Sequence, residues 1–391
     1  MILEKSVLEF GAKGDGCTDD YAAFAAALAS GADRITIPTG IYPISETLKV
    51  PSDTEIIAAR DAKIVMAPKT RRRRGDFLLT NADHENGNQN IRITGGIWDG
   101  NNQAPENAKP DIYDKNGYSG AMFCFLRVTS LTVTDAVLAN TVTYYVRAAH
   151  ITDFLFENID LVSDKFGVNQ DGLHFGGDVH HGTVRNLRAL SFGQTNDDMV
   201  AFNADDCVER VENLDLPREG ISDITVENIF CDCCHTIIRL LSVTAPIKNI
   251  RVKNVFGGFR CYAINADGAR YCRTPLIDDT VTLHATGAVE NCIFEDVTCY
   301  PVMPSELPAD FGGTQVTPTT AIIMESLANC FEIRNFRYLA DEETQKSCPA
   351  LRARNLTDTE ITADGQSTVL LAKSDLLAIP TFTTLAINKK A

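Results

Sequence analysis

Residues 223–232, DITVENIFCD, and residues 249–258, NIRVKNVFGG, are one phrase written twice: an alternating apolar stretch, an asparagine, then another apolar residue. The phrase also appears as NIRITGGIWDG (90–100), SLTVTDAVLAN (130–140), DFLFENIDLVS (153–163) and GTVRNLRALS (182–191). It returns as NCIFEDVTCY (291–300) and NCFEIRNFRY (329–338). Asn158, Asn186, Asn228 and Asn254 follow one another at 28, 42 and 26 residues, and Asp296 to Asn335 is 39. Such spacings suit one solenoid coil with or without a loop insertion. Period-two alternation rich in Val, Ile, Thr and Phe predicts short strands. Asn or Gly after them tolerates the left-handed backbone of a sharp turn.

A lone strand cannot bury its apolar face, whereas stacked coils can, each lying over the last. Asn at a repeated turn can hydrogen-bond the residue above and below it. The pattern therefore predicts an all-β chain folded as a single parallel β-helix. A β-sandwich would need regular hairpin turns, and a doubly wound fold would need helices between strands. Only one good helix is visible, TDDYAAFAAALAS (18–30), with Thr18 as N-cap, Asp19 and Asp20 at the positive dipole end, and Gly31 just past its end. Tyr21, Phe24 and Leu28 share a face, which suits a lid over the open N-terminal end. The expected layout is one domain: cap and first coil to about residue 45, coils over about 46–375, and a tail over about 376–391.

With 44% hydrophobic and 23% charged residues in 391, the composition excludes disorder. No apolar run approaches the roughly 18 residues of a membrane span. The net charge of −16 argues against nucleic acid and would repel a polyanionic glycan unless a local basic patch received it. The one dense basic run, Arg71, Arg72, Arg73 and Arg74, reads as a solvated loop. The opening MILEKSVLEF carries no basic stretch with a long apolar run, so a cytoplasmic location is expected unless a leader was trimmed. The twelve cysteines read as reduced core thiols. Cys231, Cys233 and Cys234 beside His235 lack the second Cys-x-x-Cys half of a zinc site.

FGAKGDGCTDDYAAFAAAL (10–28) with RITIPTGIYPIS (34–45) resembles the start of right-handed β-helix proteins of the pectate-lyase-like superfamily. That superfamily holds hydrolases, lyases and phage tailspikes, so the likeness implies the fold and its right hand rather than an activity. GGIWDGNN (95–102), NQDG (169–172) and NDDMVAFN (196–203) resemble glycoside hydrolase family 28, the polygalacturonase group, across roughly residues 90–270. The sequence departs from that pattern in several places. Gln170 stands for Thr, Asp171 and Asp197 are 26 residues apart, and Cys234-His235-Thr236 replaces Gly-His-Gly. FRCYAIN (259–265) offers Arg260 with no lysine two positions on.

The resemblance implies an inverting glycoside hydrolase without metal or cofactor, with Asp197 as general acid and Asp171 and Asp198 holding the water. Inversion needs two carboxyl functions flanking the bond at roughly 6.5–9.5 Å. Neighbouring coils lie about 4.8 Å apart, so offset carboxylates on adjacent coils reach that separation. Two close like charges also raise the pKa of one. Strand alternation would send Asp197 and Asp198 to opposite faces, so both reach a cleft only if Gln194, Thr195 and Asn196 form a bend. The residues alone do not order the three roles.

Asn169, His174, His235, Arg239 and Arg260 are the expected substrate-binding residues. His174 alternates with Leu173 and Phe175 and so points away from the core, and Arg260 or Arg239 would pair with a substrate carboxylate. Tyr144 and Tyr145 offer a sugar-stacking platform or ring packing inside the coil. Asp205–Asp206 reads as a loop. Insertions at 101–118 and 207–221 could wall off one end of a cleft and favour exo action. The expected partner is an oligosaccharide or polysaccharide, with uronate and neutral galactoside both open. Two rivals stand beside the hydrolase: a polysaccharide lyase, whose base usually works with Ca²⁺, and a non-catalytic tailspike-like glycan-binding β-helix.

Overall fold

A computed structural model describes residues 2–69, 72–107, 116–205, 218–268 and 285–390. Its strands join one sheet of 25 strands among the described residues, parallel in every coil pairing. Each coil advances the same strands by one layer: Phe154 lies over Leu131 and under Gly182, and Ile224 lies under Ile250. Inward positions fill one continuous core of Val, Ile, Leu and Phe, including the stacked rings of Phe175 and Phe202. The coiled β-helix expected from the repeat is what forms.

Corners explain the repeat. Asn158 at 153–163 turns the chain with φ +55°, and Asn186, Asn228, Asn254, Asp296 and Asn335 do the same in later coils at +53° to +58°. Asn and Asp tolerate this region best among residues with a Cβ. Their side chains form a ladder: Asn158 donates to Asp135 at 2.8 Å, and Asn186, Asn228 and Asn254 each donate to the residue one coil earlier at 2.7 Å. A second left-handed column runs through Ser130, Asp153, His181, Asp223, Asn249 and Asn291, with Asn249 on Asp223 and Asn291 on Asn249 at 2.7 Å.

The N-terminal lid is the helix Tyr21–Leu28, which buries Phe24 and Leu28 on the first coils. Its cap differs from expectation. Thr18 bonds Asp15, and Asp20 sits at the N-cap while its carboxylate accepts from the backbone of Lys13 and Gly14 at 2.6 and 3.0 Å. A second short helix, Glu342–Ser347, precedes the last coil strand. The stretch after residue 375 is no loose tail: Leu377–Ile379 and Leu385–Lys389 pair antiparallel with the final coils and with Thr359–Ala363, which covers the open C-terminal edge. An uncovered edge would present unpaired strand groups to solvent.

Arg72 corrects the reading of the basic run as solvated. It is half-buried, donates to Asn107 Oδ1 at 2.8 Å and lies 5.5 Å from the Tyr118 ring, while Arg73 and Arg74 are exposed. Arg71 lies outside the described residues, as do Asp206 and parts of both insertions, 108–115 and 206–217. Asp205 is a buried clamp whose carboxylate accepts from the backbone of Val243, Thr244 and Ala245 at 2.5–2.7 Å. Cys231, Cys233 and Cys234 are buried free thiols. No helix among the described residues is long and apolar enough to cross a membrane.

Candidate active site

Three coils bring the aspartates together. Leu173–Phe175 pairs with Asp198–Asn203, which pairs with the end of Ile221–Leu241. Gly172 N donates to Asp198 O at 2.9 Å and Asp197 N to Gln170 O at 3.3 Å, so Asp171 lies beside Asp198 and Gln170 beside Asp197. His235 N donates to Thr195 O at 2.9 Å, which sets His235 over Asp197 in the next coil.

The bend expected at 194–196 exists and is heavily pinned. Gln194 and Thr195 are fully buried, and Gln194 donates to Gln170 at 2.9 Å. Asn196 donates to Gly167 O at 2.7 Å and accepts from Thr314 N at 2.7 Å. Arg260 spends all five of its donors here: Nε on Thr314 O, Nη1 on Gly193 O and Cys233 O, Nη2 on Thr195 O and Asn196 Oδ1. Its guanidinium also lies 4.9 Å from the Phe311 ring. The expectation that Arg260 binds a substrate carboxylate is therefore corrected. It is a fully buried brace that fixes the strand entry from which Asp197 and Asp198 diverge.

The pair divides by burial. The Asp197 side chain is 25% exposed, and His235 Nδ1 stands 3.5 Å from its Oδ1. The Asp198 side chain is 2% exposed and receives Arg239 Nη1 at 3.2 Å. Burial first, then the charge of Asp197, pushes the Asp198 carboxyl up to about 7, against the pull of Arg239 and His235. Burial alone would depress His235, but hydrogen bonds with Asp197 and Cys261 outweigh it and lift the imidazole to about 10. Near neutrality the site thus holds a cationic His235 beside the partly exposed Asp197, and the buried Asp198 keeps its proton to far higher pH than an ordinary carboxyl.

Two more expected binding residues take supporting places. Arg239 is buried between Asp198 and Asp267, its Nη2 3.3 Å from Asp267 Oδ2, so it is set behind the pair rather than presented to a ligand. His174 is also buried, with Nδ1 2.6 Å from Asp171 Oδ2, Nε2 facing the Asn203 amide at 3.3 Å, and its ring 4.6 Å from Tyr144. It orients Asp171 instead of lining an open cleft. Asn169, a left-handed turn residue at φ +49°, and His235 keep partial exposure. Tyr144 and Tyr145 are fully buried, which settles them as packing rather than a sugar platform.

Asp267 and Asn203 escaped the sequence reading. Asp267 ends the strand Ile247–Asp267, opposite Leu241, and the alternation of Ile264 and Ala266 with Asn265 and Asp267 was the signal available. Among the described residues one carboxylate and imidazole group could hold a cation: Asp197, Asp198 and His235 offer ligand atoms all within 4.8 Å of one another. Carboxylate oxygens with one imidazole suit a hard or borderline divalent ion.

A sequence profile described as Rhamnogalacturonase A/epimerase, pectate lyase-like, matches residues 5–105. The pre-neck appendage protein of Bacillus phage phi29 is 38% identical over 98 residues, which are 25% of this chain and 11% of that protein. Among solved structures, bacteriophage phi29 gene product 12 in its pre-mature form matches with TM-score 0.62 at 17% identity, over 90% of this chain and 44% of that one. The family 28 exopolygalacturonase of Yersinia enterocolitica matches with TM-score 0.53 at 16% identity, over 90% of this chain and 78% of that one. Together with the coils these likenesses show the fold: a pectate-lyase-like right-handed parallel β-helix. Its fold is shared with polygalacturonase-type glycosidases, and the chain spans a small part of the phage relative it matches by sequence.

Proposed function

We propose that the protein is an inverting glycoside hydrolase of polygalacturonase type that cuts galacturonan-like or related glycan chains. The observation that carries this reading is the convergence of Asp171, Asp197 and Asp198 from adjacent coils, with one carboxyl held protonated near neutrality by burial and by its neighbour. An acid that keeps its proton and a carboxylate that has lost its own are the two functions inversion demands. Burial and the charge of Asp197 favour a proton on Asp198 in the free protein, and the family-based assignment of Asp197 as donor requires that proton to pass to the exposed member. Asp171, oriented by His174, then stands with the other carboxylate to activate water.

The test is a screen of defined uronate and neutral oligosaccharides with product analysis. New reducing ends, no ultraviolet-absorbing unsaturated uronide and full activity in EDTA support the hydrolase. Unsaturated product lost on chelation and restored by Ca²⁺ would replace it with the lyase, using the cation group at Asp197, Asp198 and His235.

A second reading has its own observation. The likeness to the phi29 appendage protein supports a tailspike-like, glycan-engaging β-helix. Binding of a glycan without turnover of any probe would favour that module over the enzyme.

A further inference from the structure

Beyond the corner that follows the acid-bearing strand lies an open cleft of about 720 Å³. Its wall is built from consecutive coils in register: Gln89, Thr129, Thr152 and His180 form one outward column, with Arg127, His150 and His181 at the turns beside it. Asp178, seven residues past Asp171 in the same coil, sits in the same cleft.

Three features make this cleft unlike the rest of the solenoid surface. First, Arg127 occupies a left-handed turn that a long side chain rarely takes, beside turns held by His150 and His181. Arg127, His150 and His181 have φ of +58°, +50° and +55°, where most corners of the described coils use Asn, Asp or Gly. A bulky residue costs more there than Asn does, and such outliers gather at ligand sites. Second, the acid inside the cleft is already answered. Asp178 Oδ2 lies 2.7 Å from His150 Nδ1, and Oδ1 lies 3.1 Å from His180 Nε2. Third, the remaining lining is donor-rich: Arg127 is exposed, one Nη1 bond to His84 O anchors it, and hydroxyls of Thr129 and Thr152 and amides of the 86–89 turn stand around it. In a chain of net charge −16 the formal charges of this lining, Arg127 and Asp178, cancel.

A row of hydroxyl, amide and imidazole groups repeating at the coil spacing of about 4.8 Å matches an extended chain of hydroxylated units, and the guanidinium matches an oxyanion bidentately. We propose that this cleft is a second glycan-binding site, receiving the carboxylate- or sulfate-bearing face of an acidic oligosaccharide through Arg127 and His181. A metal ion fits less well: among the described residues, the group whose ligand atoms come within reach of one ion is Asp197, Asp198 and His235, not the histidines here. The proposal does not depend on hydrolysis at the aspartates.

The experiment is calorimetric binding in an Asp171→Asn/Asp197→Asn background, which stops turnover. The probes are hexagalacturonate, a sulfated galactan hexasaccharide and a neutral galactan hexasaccharide. Arg127→Ala/His181→Ala, both at exposed side chains, is expected to weaken at least one charged probe by about tenfold or more and to leave the neutral probe unchanged. Arg127→Lys, which keeps the charge and loses the fork, is expected to fall between. A loss with galacturonate alone identifies carboxylate as the group read, and a loss with the sulfated probe alone identifies sulfate. Charged probes that do not bind, or that bind the double variant as tightly as its parent, overturn the proposal. Equal loss of neutral and charged probes overturns the acidic class, and Zn²⁺ binding without glycan binding overturns it in favour of a metal site. Failure of the hydrolase reading appears separately, as absence of turnover in the protein with its aspartates intact.

Discussion

The asparagine corner and the aspartate bend sit on the same coils and use the same short polar side chains, yet they do opposite work. At the corner, the half-buried Asn186 and the exposed Asn228 and Asn254 are uncharged and bonded to one another at 2.7 Å, layer after layer. At the bend, Asp197 and Asp198 are adjacent like charges, one of them buried, and no neighbouring coil repeats them. The corner satisfies every donor locally, so it adds stability and carries no chemistry. The bend concentrates unfavourable charge that only a brace of surrounding groups can hold. Stability resides in what repeats, and the candidate chemistry resides in what breaks the repeat.

The brace offers the hardest way to break this contrast. Arg260→Met removes five donors, four of them on oxygens of the buried residues Gly193, Cys233, Thr195 and Asn196, and is expected to cost about 3–5 kcal/mol, the scale of breaking a buried charged network. Denaturant unfolding measures it; a loss below about 1 kcal/mol would mean that the bend holds itself.

Next in size are the aspartates. Asp171→Asn, Asp197→Asn and Asp198→Asn are each expected to lower turnover of a confirmed substrate by about a hundredfold or more while the melting temperature moves little. Near-normal rates in all three would place the chemistry elsewhere on the chain.

The ladder comes third. Asn228→Ala loses bonds to Asn186 and Asn254 and forces a Cβ with no local partner into a left-handed corner, at about 1–2 kcal/mol. Asn228→Gly keeps the turn and loses only the bonds, so its smaller loss separates the two causes. Neither should change turnover.

The pH dependence is the finest probe. Asp198 titrates near 7 in the folded chain and near the ordinary 3.8 when unfolded. Between these values the unfolded chain has released this proton and the folded chain has kept it, so raising the pH from about 4 to 7 withdraws stability. Asp198→Asn should flatten that part of the curve. His235 slopes the same way at higher pH: its elevation to about 10 contributes stability that is full below about 6.5 and is lost as the pH climbs through 10. A wild-type curve with no downward slope from pH 4 to 7 would deny the buried, protonated Asp198.

Much of the fold was legible because its signals are local and repeated. Alternation in NIRVKNVFGG, with Asn254 at its turn, states a strand pair and a corner without help from distant residues, and eight such phrases state it eight times. The lid helix was legible for the same reason, though not its cap, since the Asp20 carboxylate is drawn to the backbone of Lys13 and Gly14 by the fold of the preceding loop. The aspartates of NQDG and NDD were found by their order in the chain. The cations were misjudged. Arg239, Arg260 and His174 look alike in sequence as polar residues near a motif, yet each is buried on a partner that lies 3 to 67 positions away.

The sequence by itself determined the parallel coil and its corners and singled out three aspartates that adjacent coils bring together, because period, turn chemistry and motif order are properties of neighbouring residues. Only the tertiary structure decided which of Asp197 and Asp198 is buried, that Arg260 braces rather than binds, that the C-terminal strands close the solenoid, and that Arg127, His150 and His181 meet along one cleft. Those outcomes depend on the lateral register between coils, set by insertions of unequal length, and on the loss of water around each charge. Both arise only when distant segments are stacked 4.8 Å or so apart.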